Sequence, residues 1–266
     1  MDIPNLVYHP IRGSRMFRSS KSNYKSPKSR LMFIIGCIFI SPLAVSAETT
    51  KTSQIYNEWY VVRLNENDTI AYYNESLEFR EGEYFTKQVV WRKDEGFINH
   101  EEIATQSKAD FTPKFFNYKL KYRDSLITIN GTVQESGIIR ISSKKNDEPS
   151  NSFERSIPKN SIFSTVFPFW ILKHFESNQN SKSVKIIFED RLFEKLNFEA
   201  ATVTSLKLDS DAKKLEAKKY LVKISGVSAA WYLGKLGMAK LISIPTKSMN
   251  IVLSTETEAK KLFDAK

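Results

Sequence analysis

Apolar and polar side chains alternate along much of this chain, and that period of two limits its fold more than any other feature. Between residues 115 and 123, Phe116, Tyr118, Leu120 and Tyr122 occupy every second position, with Asn, Lys or Arg between them. Because successive side chains of a strand point to opposite faces, this pattern predicts a strand with one buried face. Comparable stretches cover residues 59–64, 70–80, 84–92, 97–105, 126–133, 138–142, 184–190, 218–224, 230–233, 238–244 and 249–253. We therefore expect a chain made mainly of strands.

Turn residues separate these stretches. Asn130-Gly131 lies between two apolar runs, and both residues tolerate positive φ, which predicts a type I′ hairpin turn. Single glycines separate several other runs. Short runs that follow one another with few helical patterns between them favour an antiparallel sheet over β-α-β units. The predicted fold class is mainly β, with an antiparallel curved sheet or half-barrel.

One aromatic-rich segment breaks the alternation. Residues 160–175, NSIFSTVFPFWILKHF, are long enough for a helix, which Pro168 would kink or divide. The helix would be apolar almost all round, so it must be buried or cover an apolar surface. Three interpretations stay open: a core plug wrapped by the sheet, a wall or lid of an acyl-chain cavity, or a docking surface for another envelope protein.

Two other segments also differ from the strands. Thr255 and Glu258 have the spacing of a capping box, which predicts a short C-terminal helix over residues 255–263. The polar stretch 144–155 predicts an exposed loop. No repeat and no linker rich in Pro, Gly or Ser divides residues 48–266, so we expect a single β-rich domain there.

The first 47 residues have the pattern of an export signal with an extended basic region. Seven Lys and Arg side chains and one Asp precede an apolar run over residues 31–45, and small residues end the segment at Ala47. This order of basic, apolar and small residues predicts a cleavable signal peptide over residues 1–47. Translation from Met16 instead of Met1 would give a shorter leader of the same kind.

Two other fates of this leader stay open. The residues up to Cys37 resemble a lipobox, which would make the protein a lipoprotein, and the apolar run is just long enough for an uncleaved anchor. All three alternatives place residues 48–266 outside the inner membrane, because the basic flank stays cytoplasmic. Cys37 is the only cysteine. It lies in the leader, and a secreted eukaryotic domain of this size would often carry disulfides, whereas a bacterial periplasmic protein need not, so we expect this protein in the periplasm.

The formal net charge of +10 says little about a partner. The leader holds seven Lys and Arg, whereas residues 48–266 hold 33 Lys and Arg against 29 Asp and Glu. Lys119, Lys121 and Arg123 form the only short basic cluster, which is too small for a nucleic-acid surface. We expect no nucleic acid as a partner, and peripheral contact with anionic lipid headgroups stays open.

Motifs for catalysis and metal binding are absent from the sequence. It contains no paired cysteines, no clustered histidines, no phosphate-binding glycine loop and no Gly-x-Ser-x-Gly elbow. His100 precedes two glutamates, but adjacent strand residues face opposite sides, so we expect a surface cluster. His174 lies near the end of the aromatic helix, where a cation suits the helix dipole. We expect no catalytic residue, no metal, no cofactor and no enzymatic activity.

Loose motifs relate the chain to a known group of proteins. Residues 59–62 (WYVV) and 70–72 (IAY) resemble the first hairpin of bacterial periplasmic β-rich proteins of unknown function. Residues 110–113 (DFTP), 231–232 (WY) and 236–241 (LGMAKL) are similar to later parts of that group. The group is distantly similar to the Lol-type lipoprotein carriers. The resemblance implies a half-barrel that encloses a lid helix and binds acyl chains.

These expectations combine into an exported, non-enzymatic protein that holds an apolar ligand, a lipid or acyl chain, in a half-barrel. The predicted ligand-binding residues are aromatic side chains of the helix and of the facing sheet: Phe163, Phe167, Phe169, Trp170, Trp59, Tyr118 and Tyr122. The alternative is a cell-envelope interaction module with a solid core and no small-molecule ligand. Such a module would bind another envelope protein through its sheet or loops.

Overall fold

A computed structural model describes residues 53–65, 68–94, 97–175, 181–189 and 198–264, and the predicted signal peptide lies outside them. Within these residues, fifteen strands form one sheet. The strands are β1 (Ser53–Leu64), β2 (Asp68–Arg80), β3 (Glu83–Asp94), β4 (Phe97–Lys108), β5 (Pro113–Tyr122), β6 (Ser125–Val133), β7 (Ile138–Lys145), β8 (Asn151–Ser156), β9 (Ser161–Phe163), β10 (Ser181–Ile187), β11 (Phe198–Ser205), β12 (Lys218–Ile224), β13 (Val227–Leu233), β14 (Ala239–Ile244) and β15 (Met249–Ser254). Three α-helices accompany them: α1 (Phe167–His174), α2 (Ser210–Lys214) and α3 (Glu256–Asp264).

The strand order places the first and last strands side by side in the middle of the sheet. The order is β8-β7-β6-β5-β4-β3-β2-β1-β15-β14-β13-β12-β11-β10-β9, so β8 and β9 are the edges. Strands β1 and β15 pair from Trp59 opposite Ser254 to Leu64 opposite Met249. All neighbouring strands are antiparallel except β9 and β10, which are parallel. Two antiparallel meanders, β1–β8 and β10–β15, are therefore joined through this central pair.

One face of the sheet, called the inner face here, surrounds α1 and the residues before it. Phe116 of β5 contacts Phe163, with ring centroids 6.0 Å apart. Trp231 of β13, in the other meander, contacts Phe167 at 5.4 Å. Strands from both meanders thus pack against the same short aromatic segment. The prediction of a mainly β fold with an open curved sheet around an aromatic-rich helix is confirmed.

The helix itself is shorter than predicted. Ser161–Phe163 pairs with β10 as the short strand β9, and a 3₁₀ turn over Ser164–Val166 follows. Helix α1 begins only at Phe167, and Pro168 lies in its first turn, where the missing N–H removes no helical hydrogen bond. The proline therefore marks the start of the helix and does not kink it. The preceding residues are held as a strand by a partner that is remote in sequence.

The predicted turn at Asn130-Gly131 is wrong, because both residues lie inside β6. Gly131 pairs with Phe116 of β5 on one side and with Ile141 of β7 on the other. The Phe116 ring covers Gly131 so closely that an added Cβ would lie 1.8 Å from its Cε1 atom. Glycine is thus required here for the close approach of a ring, and no turn is needed.

The C-terminal helix packs on the opposite, outer face of the sheet. The Thr255 Oγ1 atom accepts a hydrogen bond from the backbone N–H of Glu258 at 3.2 Å, as the capping box predicts. Ala259 and Phe263 are buried against β1 and β2, and Phe263 meets the Tyr72 ring edge-on at 4.9 Å. The stretch predicted as a loop, residues 144–155, is a loop only in part, because β8 forms its second half.

Candidate functional site

Three predicted ligand-binding residues on and before α1 form packed core contacts. Phe163, Phe167 and Phe169 are all buried. The Phe169 ring lies 5.1 Å from that of Tyr84 and 6.0 Å from that of Phe111, edge-on to both. Edge-on contacts at these distances are the favoured geometry of aromatic pairs in a protein core. The structure therefore places these rings against the inner face of the sheet.

A cleft of about 970 Å³ lies at the end of the sheet where α1 terminates. Its walls come from the β4–β5 connection, the β6–β7 turn, the segment between β8 and β9, and the start of β10. Trp170 and His174 of α1 also line it. Pockets of ~300–1,000 Å³ are typical of small-molecule sites, so this cleft is large enough for a sizeable ligand. Trp170 is the one predicted ligand-binding residue that lines it.

Two stacked rings form the floor of the cleft. The rings of Trp170 and His174 lie 4.5 Å apart at an angle of 25°, and the ring of Phe111 lies 5.7 Å from that of His174. His174 Nδ1 is 2.9 Å from the carbonyl oxygen of Trp170. A carbonyl oxygen only accepts, so Nδ1 is the donor, and this bond fixes the ring orientation. Further apolar lining comes from Pro113, Val133, Ile157, Pro158, Ile162 and Val184.

Lysines outnumber carboxylates around the cleft. The charged side chains that line it are Lys108, Lys114, Lys159, Lys182, Asp110 and Glu135. Lys114 donates to Glu83, and this bond, with a second one from Gln106, lowers the pKa of Glu83. Asp110 accepts the backbone N–H of Thr112 at 3.0 Å, which lowers the pKa of Asp110. With Lys114 paired to Glu83, three lysines remain against two carboxylates, and this small positive excess favours a negatively charged group.

The two predicted tyrosines on the sheet lie away from the cleft lining. Tyr118 is buried on the inner face, but its neighbourhood is polar, because its hydroxyl lies 3.5 Å from Glu101 Oε2. Glu101 in turn pairs with Arg92 at 3.1 Å. Tyr122 lies at the end of β5, where the Arg123 guanidinium is 5.2 Å from its ring. The structure does not bring these tyrosines together with Trp170 around one ligand volume.

Trp59 lies on the outer face and not opposite α1 as predicted. Its ring stacks with those of Trp91 and Tyr72, at 5.8 and 6.1 Å, in the cluster that α3 covers. The following residue, Tyr60, is on the inner face and stacks on Tyr73 at 4.8 Å. Strand β1 carries aromatic side chains on both faces, so alternation alone did not indicate which ring points inwards.

Sequence reasoning missed the lysines of the cleft. They come from the end of β4, the start of β5, the segment before β9 and the start of β10, so they belong to three separate stretches of the sequence. No local motif marks them, because the curvature of the sheet is what brings their segments together.

Within the described ranges, no group of three or more His, Cys, Asp or Glu side chains is arranged to hold a metal ion. In the same part of the chain, no helix has both the length and the apolar character needed to cross a bilayer.

Comparisons with known proteins give distant structural likenesses. No protein-family model and no curated protein matches this chain. A beta-barrel-like protein of domain of unknown function DUF1849 from Brucella abortus is similar in structure, with a TM-score of 0.49 and 15% identity over 75% of this chain and 95% of that one. A DUF1089 family protein from Pseudomonas aeruginosa is similar with a TM-score of 0.42 and 12% identity over 66% and 90% of the two chains.

Proposed function

We propose that this protein is a non-enzymatic binding protein of the periplasm, and that its ligand is a lipid-like amphiphile with an acyl chain and an anionic head. The observation that carries this proposal is the cleft at the end of α1, which combines the Trp170–His174 floor with a lysine-rich rim. An acyl chain gains about 0.8 kcal/mol for each CH₂ group that it buries. Export is supported by the basic and apolar pattern of residues 1–47.

The ligand position in this proposal differs from the one expected from the sequence. Phe163, Phe167 and Phe169 pack against aromatic side chains of the sheet and do not enclose the chain themselves. Phe167 also stacks on Trp170, with ring centroids 6.0 Å apart. The apolar part of the ligand would lie against Trp170, Ile162 and neighbouring apolar side chains. Its head would lie at the rim, which is lined by lysines from separate segments.

Calorimetric titration with dodecyl phosphate, below the concentration at which it forms micelles, tests this function. Replacing two rim lysines, Lys159→Glu together with Lys182→Glu, places negative charges beside the anionic head of the ligand. This change is expected to weaken binding by about tenfold or more, which corresponds to about 1.4 kcal/mol or more. The matched control is Lys218→Glu with Lys223→Glu, which reverses two exposed charges on β12 outside the cleft. Equal weakening in both double variants, or no binding by the unaltered protein, would refute the proposal.

The packed aromatic segment favours a second candidate function, an envelope interaction module with a solid core. Its binding surface would be β8, an edge strand of mainly exposed residues. An edge strand can accept a strand from another protein by β-augmentation. A photo-crosslinker placed at Phe153 of β8, compared with one at Lys159 in the cleft, separates the two functions in intact cells. A single protein adduct at 153 supports the module, and lipid adducts at 159 support the amphiphile carrier.

A further inference from the structure

Exposed apolar side chains gather at two neighbouring hairpin ends. Among the described residues, Phe97 and Ile98 at the start of β4 are 46% and 58% exposed, and Leu126 at the start of β6 is 48% exposed. Strands β4 and β6 both pair with β5, so these positions lie at the same end of the sheet. We call these three residues, together with Lys121 and Arg123 of the β5–β6 hairpin, the hairpin-tip patch.

Two cations lie directly among these apolar side chains. Lys121 pairs across the strands with Leu126 on one side and with His100 on the other. Ile98 is two residues before His100 and therefore lies on the same, outer face as Lys121. The Arg123 guanidinium lies 4.3 Å from the centroid of the Phe97 ring. The patch thus combines Ile98, Leu126 and Lys121 on the outer face with the Phe97–Arg123 pair at the hairpin end.

Such a surface has the chemistry of a membrane contact. Apolar side chains of an interfacial anchor enter the boundary between headgroups and acyl chains, while neighbouring Lys and Arg side chains reach the phosphates. A standard protein interface needs about 800 Å² from each partner, which is more than three side chains at hairpin ends provide. The arrangement therefore fits a bilayer surface better than a second protein.

Charged side chains near the patch determine whether electrostatic attraction or insertion of apolar side chains contributes more to binding. Lys119 and Lys144 flank it on the outer face, and both are exposed. Asp124 in the β5–β6 turn, with Asp147 and Glu148 in the β7–β8 turn, lies at the same end and offsets part of this charge. Insertion of the apolar side chains must then provide most of the binding, and Lys121 and Arg123 give a preference for anionic lipid.

We propose that the hairpin-tip patch binds the surface of an anionic bilayer, with Phe97, Ile98 and Leu126 inserted below the headgroups. This inference does not depend on the ligand cleft, which lies at the other end of the sheet around the β4–β5 and β6–β7 connections. A protein that binds no amphiphile could still dock on a membrane through this patch.

Co-sedimentation of the full chain with phosphatidylglycerol-phosphatidylcholine vesicles tests the inference. Ile98→Ser with Leu126→Ser is expected to weaken vesicle binding about tenfold or more, because two inserted apolar side chains are lost. The matched control, Leu206→Ser with Leu208→Ser, removes two exposed leucines outside the patch and is expected to bind like the unaltered protein. All variants share the same N-terminal segment, so differences between them report on the patch.

A charge variant tests the lipid preference separately. Lys121→Gln with Arg123→Gln is expected to reduce binding to the anionic vesicles while leaving binding to pure phosphatidylcholine vesicles unchanged. The inference is overturned if the unaltered protein does not bind anionic vesicles, if the Ile98/Leu126 variant binds them as tightly as the unaltered protein does, or if the control variant loses as much binding. Far-ultraviolet circular dichroism of each variant verifies that the sheet is intact.

Discussion

At the residue scale, the inner face of β2 and β3 buries an ionisable group. Glu75 accepts a hydrogen bond from the Tyr56 hydroxyl at 2.5 Å and another from Gln88 Nε2 at 3.1 Å. Burial raises the pKa of Glu75 above its ordinary value of 4.5, and the two donors offset only part of that rise. The folded state therefore binds this proton more strongly than the unfolded state does.

The raised pKa of Glu75 predicts a loss of stability as pH rises. Between pH 4.5 and the higher folded-state pKa, the folded protein holds more protons than the unfolded chain, so the free energy of unfolding falls with pH. Below pH 4.5 both states are protonated, and the effect disappears. Glu75→Gln should remove this fall, so the stability of the variant relative to the unaltered protein should increase from pH 4.5 upwards.

Urea unfolding of Glu75→Gln at several pH values measures this difference. Glu148→Gln, which neutralises an exposed carboxylate, is the matched control and should show little such increase. If the free energy of unfolding of Glu75→Gln, relative to that of the unaltered protein, stays constant or falls with rising pH, the assignment of this buried carboxylate is contradicted.

Gly131 provides a second test at this scale. The Phe116 ring lies over Gly131 on the inner face and also contacts Phe163 of β9. Gly131→Ala would force the ring to move and is expected to lower the free energy of unfolding by about 1–3 kcal/mol, as overpacking does. Thr132→Ala, at the exposed neighbouring position on the outer face, should change it by less than about 0.5 kcal/mol. Equal effects in the two variants would show that the ring adapts freely.

At the scale of single elements, alternation predicted strands well and failed where a partner remote in sequence decided the structure. The period of two predicts strand β5 directly, because its alternation of residue types depends only on which face of the strand is buried. Ser161–Phe163 became a strand through pairing with β10, and nothing local distinguishes it from a helix start. Gly131 was assigned to a turn because the ring that covers it belongs to another strand.

Helix α3 is attached to the outer face chiefly through Phe263. That side chain is buried against Tyr72, and Lys93 donates to its backbone carbonyl. Phe263→Ala is expected to lower the free energy of unfolding by about 3–5 kcal/mol, because the lost burial leaves a cavity. Lys261→Ala, which truncates an exposed side chain of the same helix, should have an effect below about 0.5 kcal/mol. Thermal unfolding followed by circular dichroism compares the two, and similar melting temperatures would contradict this role.

At the scale of the whole molecule, the candidate site shows most clearly what sequence patterns could not provide. The aromatic segment was identified because its residues are contiguous, and Trp170 does line the cleft. The rim lysines were not identified from the sequence, because only the curvature of the sheet brings Lys108, Lys159 and Lys182 to one end. Trp59 shows a different failure. The sequence shows that this residue is aromatic, but it does not show that the ring lies on the outer face of the sheet.

The pairing of β1 with β15 predicts that the two meanders unfold together. Six residue pairs join these strands in the middle of the sheet, and α1 contacts aromatic side chains of both meanders. Neither meander can lose its structure without exposing that central strand pair and the inner face around α1. We therefore expect a single cooperative transition in urea.

The four tryptophans can test this cooperativity, because they divide evenly between the parts of the fold. Trp59 and Trp91 lie in the β1–β8 meander, whereas Trp170 and Trp231 lie in α1 and β13. Trp59→Phe with Trp91→Phe leaves fluorescence only from the second pair, and Trp170→Phe with Trp231→Phe leaves only the first. In each variant, the fluorescence midpoint should coincide with that variant's own circular dichroism midpoint. If the fluorescence midpoint of one tryptophan pair lies at a lower urea concentration than the circular dichroism midpoint of the same variant, the meanders unfold separately and the central strand pair does not couple them.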